Sequence, residues 1–279
     1  MKRILFPTDF SPASMNAFIY ALKFADKLQG ELLVLHVYEL PQLHMGGLPN
    51  TLKDVYDTIE LEKFEDFKDQ IPLLRDIAEQ NGLSHIKISN ILKHGDLIWA
   101  IGKVVKDEQI DYVVMGTKGA SGLKETFLGS NTGSVITDTD AYVIGVPEEA
   151  TFEGIRNIVF TTRYRDKDIK ALRKVVTLAK QFDARVHCLY VNTSKTDVKE
   201  VVMEDWKLLF KDDNVVFHTF ESNDVKNTII NFTNSYEVDV LAMLNYKRGF
   251  FEELFNQSLT QKLSYHVKVP LLAIHENRL

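Results

Sequence analysis

The residues best suited to chemistry lie in one stretch, 115–132, which reads MGTKGASGLKETFLGSNT. Gly116, Gly119 and Gly129 stand at fixed intervals behind the apolar run Tyr112-Val113-Val114-Met115, and Ser130 follows directly. Glycine has no Cβ, so it accepts positive φ and lets a ligand press against the backbone. A strand that passes through such a loop into a helix presents amides to an anion. Ser130 fits the N-cap of a helix over 131–137, whose first amides would face back to the glycines. Lys118 is a cation within the stretch that either touches phosphate or is solvated. The implied chemistry is a cradle for nucleotide phosphates. Its spacing departs from Gly-x-x-x-x-Gly-Lys-Ser/Thr and from the dinucleotide fingerprint. Ser121, in Gly119-Ala120-Ser121-Gly122, is not a Gly-x-Ser-x-Gly nucleophile elbow.

The elements around this stretch alternate. Residues 4–6 form a short continuous apolar run, as expected of a strand buried on both faces, and Pro7-Thr8-Asp9 ends it. Ser11-Pro12 supplies an N-cap and first turn, and Met15, Phe18, Ile19, Leu22, Ala25 and Leu28 fall on one helical face before Gly30. Residues 32–38 are a second strand, and 39–50 a loop with two prolines and Gly46-Gly47. A helix is expected over 51–80, with Pro72 breaking or kinking it, and a third strand over 86–92. Asp96 caps the next helix; strands follow over 111–116 and 142–146. Such alternation implies a parallel sheet covered on both faces.

After 147–151 the pattern starts again. Arg156-Asn157-Ile158-Val159-Phe160-Thr161-Thr162 echoes Lys2-Arg3-Ile4-Leu5-Phe6-Pro7-Thr8, and 186–191 echoes the second strand. Asp224 aligns on Asp96, Asp239 on Asp111, Phe255 on Phe127, Ser258 on Ser130 and Thr260 on Thr132. Asp9 falls opposite Arg163, an offset of 154, whereas Asp111 falls opposite Asp239, an offset of 128. The second copy is therefore 26 residues shorter, and the loss falls where the first carries its loop and long helix. Two tandem units are expected, 1–147 and 154–279.

Composition bounds the partners. The 279 residues are 45% hydrophobic and 26% charged, enough apolar mass for two cores. The net charge is -6 and no Lys/Arg run reaches five, which argues against nucleic acid. No stretch approaches the roughly 18 apolar residues of a membrane span. The single cysteine, Cys188, sits in an apolar strand as an inert buried thiol; with no leader-like start, it points to the cytoplasm. The eight histidines are scattered, with no pair at ligand spacing, so no metal site is expected from the sequence, although distant residues could converge in the fold.

The PTDFS start, the Gly-x-x-Gly-(nine residues)-Gly-Ser stretch and the tandem copies together resemble the universal stress protein family, in its ATP-binding type. The resemblance covers the first copy strongly and the second weakly. It implies α/β architecture: two tandem Rossmann-like, doubly wound, five-stranded parallel-sheet domains, with ligands beyond the carboxyl ends of the strands. Asp9, beside Thr8, matches the family's acidic residue near the adenosine, although it could merely cap the following helix. Val37 matches the position whose backbone meets adenine, although it could be plain core. Gly116, beside Met115, and Gly119, Gly129 and Ser130 match the phosphate signature; Asn131 and Thr132 could add contacts. The implied ligand is ATP or another adenine nucleotide, with Mg2+ as an optional companion of the phosphates.

The second copy departs from the pattern: Arg163, Leu244, Lys247 and Gln257 replace Asp9, Gly116, Gly119 and Gly129, and only Ser258 survives. It is expected not to bind ATP in the family's way, but to pair with the first through residues 269–274 docking on 142–146. Arg163 and Lys247 as a different anion site is the alternative. Homodimerisation is left open. The implied role is stress response or signalling; a slow ATP-hydrolysing enzyme and a nucleotide-free interaction protein stand as rivals. No motif places a catalytic base.

Overall fold

A computed structural model of the chain describes residues 1–41, 49–117, 130–196, 198–245 and 268–279. The chain runs β1 (Arg3–Pro7), α1 (Pro12–Lys27), β2 (Glu31–Tyr38), α2 (Pro49–Gln80), β3 (Ile88–His94), α3 (Leu97–Asp107), β4 (Tyr112–Gly116), α4 (Ser130–Asp138) and β5 (Tyr142–Val146). It continues with β6 (Asn157–Thr162), α5 (Asp166–Phe182), β7 (Arg185–Asn192), α6 (Glu200–Leu209), β8 (Val215–Glu221), α7 (Val225–Ser235), β9 (Val240–Asn245) and β10 (Leu271–His275), and ends in a 3-10 turn, Glu276–Arg278.

Among the described residues the strands form one sheet in the order β3-β2-β1-β4-β5-β10-β9-β6-β7-β8. Neighbours are parallel except at the centre, where β10 pairs antiparallel with β5, Leu272 opposite Ile144. The short apolar strands are buried on both faces, as their lack of alternation requires. Ile4, Phe6, Leu32 and Val34 face one core layer beneath α1, α2, α5 and α6, whereas Leu5, Leu33 and Leu35 face a second beneath α3, α4 and α7. The architecture is α/β and Rossmann-like. β1 lies between β2 and β4, so the strand order reverses there and a crevice opens at the carboxyl ends of β1 and β4. No described helix is long and apolar enough to cross a membrane.

Several boundaries differ from the sequence expectations. The third strand starts at Ile88, not 86, because Ile86 closes a turn: its amide donates to the Leu83 carbonyl at 3.1 Å and its side chain plugs the core. Residues 49 and 50, expected in the loop, open α2; 42–48 lie outside the described residues. α2 runs unbroken through Pro72, which is exposed, so the carbonyl one turn earlier can turn to water. Ser130 is the first residue of α4 rather than its cap. The last strand begins at Leu271.

Candidate functional site

The end of β1 is a tight turn built by Thr8. Its amide donates to the Leu35 carbonyl at 2.9 Å; its hydroxyl accepts from Phe10 N at 2.9 Å and meets Ser14 Oγ at 2.8 Å. Phe10 adopts φ 57, the left-handed region that turns the chain sharply. Thr8 is buried, so its side chain builds the turn and leaves Asp9 exposed at its tip. Asp9 Oδ1 accepts from Ser11 N at 3.0 Å, while Ser11 Oγ, not Asp9, caps α1 by accepting from Ser14 N at 3.2 Å. A carboxylate thus stands at the rim of the crevice.

β2 runs past the end of β1. In a parallel strand the amide and carbonyl of one residue point to the same side, and successive residues alternate. The Leu35 carbonyl faces β1, accepting from Thr8 N, and the Tyr38 carbonyl faces β3, accepting from Gly95 N at 2.9 Å. Val37 therefore turns its amide and carbonyl towards β1's side at a level beyond Pro7, where β1 has ended. One donor and one acceptor point into the crevice. The Val37 side chain packs on the same core layer as Met115, which is buried. His36 locks the β2 side of the turn: its Nδ1 donates to the Thr8 carbonyl at 2.8 Å and its ring stacks on Phe67 at 5.9 Å.

Gly116 ends β4 opposite Val146, and its carbonyl accepts from Thr132 Oγ1 at 2.9 Å. That bond holds the first turn of α4 against the strand end. Thr132 is buried and its proton is committed, so it positions the helix; Asn131 beside it is exposed. The structure thus brings Thr8, Asp9, Val37, Met115, Gly116, Asn131, Thr132 and the start of α4 to one end of the sheet. Lys118, Gly119 and Gly129 lie outside the described residues, as do Lys247, Gln257 and Ser258.

The equivalent turn after β6 is built alike but filled differently. Thr162 Oγ1 accepts from Tyr164 N at 2.8 Å, and Tyr164 has φ 56. Asp168 occupies the position of Ser14. Its Oδ2 accepts from Thr162 Oγ1 at 3.0 Å, Arg163 N at 2.7 Å and Arg165 N at 3.2 Å. A buried carboxylate of the chain itself thus draws in amides of this turn. Leu244, at the place of Gly116, is buried in the core. Cys188 is fully buried, which pushes its thiol well above the ordinary range.

One constellation escaped the sequence reading. His187 on β7 and His218 on β8, which showed no ligand spacing, meet with Nδ1 and Nε2 3.0 Å apart. Adjacent parallel strands put them on one face, since Leu189 stands opposite His218. Both imidazoles are held below the usual range by burial; His187 is lowered to about 4, with His218 and Arg185 adding repulsion.

A model of the Universal stress protein family matches residues 1–147. Universal stress protein MJ0577 of Methanocaldococcus jannaschii is 28% identical over 155 residues, 52% of this chain and 94% of that protein. Universal stress protein YxiE of Bacillus subtilis is 27% identical over 129 residues, 46% of this chain and 87% of its own length. The crystal structure of a universal stress protein from Archaeoglobus fulgidus matches with a TM-score of 0.72 at 19% identity, covering 98% of this chain and 96% of that one, a likeness of fold. With the family model spanning more than half of its length, the chain belongs to the universal stress protein family.

Proposed function

We propose that residues 1–147 bind an adenine nucleotide, with ATP the first candidate, and that its occupancy serves stress response or signalling in the cytoplasm. The observation that carries this reading is the backbone edge of Val37, which no described residue pairs, at the same end of the sheet as Gly116 and the start of α4. Adenine needs an apolar slot with one donor and one acceptor, which Val37 and the Met115 layer can offer. The ribose hydroxyls suit a carboxylate, which Asp9 holds at the rim. Phosphates suit backbone amides without side chains in the way, which is what Gly116, Gly119 and Gly129, followed by Ser130 and the α4 amides, would provide, with Lys118 and Asn131 nearby. Mg2+ would then ride on the phosphates.

Residues 154–279 are, in this reading, a second unit that binds no nucleotide and pairs with the first inside the chain. The filled turn at Asp168, the buried Leu244 and the β5–β10 pairing support it. Nucleotide occupancy can bias partner surfaces only if the ligand favours one state over another.

The test is mass spectrometry of what the purified chain releases on acid denaturation, beside Gly129→Val. About one adenine nucleotide per chain, lost in the variant, is expected. No nucleotide, together with no thermal shift on adding ATP and Mg2+, overturns the binding reading. Two per chain overturns the assignment of residues 154–279.

A further inference from the structure

We propose that His187 and His218 form a binding site for a borderline transition-metal ion, of the class of Zn2+ or Cu2+, on the outer part of the sheet. The site is separate from the crevice between β1 and β4. Two nitrogens bound to one ion at about 2.0–2.1 Å, with an angle between a right angle and a tetrahedral one, stand about 2.9–3.4 Å apart. His187 Nδ1 and His218 Nε2 are 3.0 Å apart, within that range.

The tautomer at His187 is set for ligation. Asn157 donates its side-chain amide to the Glu237 carbonyl at 3.3 Å, which leaves its Oδ1 as an acceptor. That oxygen lies 3.3 Å from His187 Nε2, so the ring proton sits on Nε2 and the Nδ1 lone pair faces His218. A carbonyl-type acceptor behind a ligating imidazole is the usual means of fixing its orientation. Phe232 of α7 and Tyr236, which caps that helix, pack against both rings and restrict their rotation. In the metal-free chain His218 Nε2 carries the shared proton; binding shifts that proton to His218 Nδ1 or to solvent, and the ion bonds both nitrogens from beside the line that joins them.

His218 is partly exposed and β8 is the edge of the sheet, so water has access to complete the coordination. Arg185, on the same strand, repels a cation; its Nε is turned to Asn214 Oδ1 at 3.4 Å.

The experiment uses the full, tag-free chain, stripped with a chelator, and titrates Zn2+ against a chromophoric competitor. One ion per chain is expected in the wild type, with binding weakened at least about tenfold in His187→Gln and in His218→Gln. Cu2+ in the same chain should show imidazole nitrogen couplings in its electron paramagnetic resonance spectrum, diminished in each variant. Absence of binding by the wild type, or unchanged binding and spectra in either variant, overturns the site. Melting in chelator checks the fold. Should His187→Gln fail to fold, His218→Gln decides alone, because its ring lies on the exposed edge strand.

Discussion

Asp168 and Ser14 stand at the same place in the two strand-to-helix turns, yet they hold those turns with different strength. Asp168 is buried and accepts from the Thr162 hydroxyl and from Arg163 N and Arg165 N. Among the described residues the Ser14 side chain meets the Thr8 hydroxyl alone, at 2.8 Å. Hydrogen bonds to a charged group contribute about 1.5–3 kcal/mol each, but they share one acceptor and do not add fully. Asp168→Ala strands the buried Thr162 hydroxyl and two partly buried amides and should cost about 3–5 kcal/mol. Ser14→Ala removes one neutral bond and should cost about 1 kcal/mol. Asp168→Asn keeps an acceptor without the charge and should fall between. The reporter is at hand: Trp206 is buried and packs edge-on against Tyr164 of the same turn, at 4.8 Å. The other tryptophan, Trp99, is 63% exposed, so a Trp99→Phe background isolates the signal. Urea unfolding by Trp206 fluorescence then gives the midpoint and slope. The two alanine variants losing equal stability, or Asp168→Ala losing less than about 1 kcal/mol, would refute the reasoning.

Two further perturbations follow from the same geometry. His187 and His218 have folded pKa values below the ordinary histidine value of 6.5, so the unfolded chain takes up protons first. Stability present above the unfolded value is therefore lost as pH falls from there towards the folded value of about 4. His187 alone should lose about 2 kcal/mol between pH 7.5 and 5; the groups around it are His218, Arg185, Asn157, Phe232 and Tyr236. Melting at both pH values should show this loss in the wild type and less of it in His187→Gln. Thr132→Val keeps the side-chain shape but removes the donor to the Gly116 carbonyl, and should lower stability by about 1–2 kcal/mol in urea unfolding, with Thr132→Ser close to wild type.

What could be read in advance was what local chemistry encodes. Ser11 before Pro12, and Asp96 before Leu97, cap helices because a short oxygen side chain reaches the amide three residues on, as both do here. The apolar runs became strands because a two-sided parallel sheet tolerates no polar face. What stayed hidden depends on partners distant in sequence. Ile86 is as apolar as a strand residue but serves a turn, which only the packing of Leu83 and α2 decides. Phe10 and Tyr164 take left-handed backbone without being glycine, so no residue type marked those turns. Thr8 enters the sequence reading only as the neighbour of Asp9, and its hydroxyl's part in the turn, with Phe10 N and Ser14 Oγ, shows only in the fold. His187 and His218 are 31 residues apart, and only the β7–β8 register brings them together.

The centre of the sheet bears on why the degenerate half is retained in the proposed reading. A sheet that ended at β5 would expose a row of unpaired amides and carbonyls, an invitation to further strands. Here β10 pairs with it antiparallel over Leu271–Ala273. Polar contacts to α4 and to the turns before β4 and β5 flank the strand pair. Asn245, buried, donates to the Ile136 carbonyl at 2.9 Å, and Asn277 reaches Asp140 Oδ1 at 2.8 Å. Arg278 bonds the carbonyls of Ile110 and Asp140 and lies over the Tyr142 ring. None of these contacts needs a glycine cradle. Substitutions such as Leu244 and Lys247 can thus remove a ligand site while the edge-covering role, which depends on strand β10 and the last turn, persists unchanged. The same pairing occupies the β5 edge within one chain, so a second copy would have to dock elsewhere.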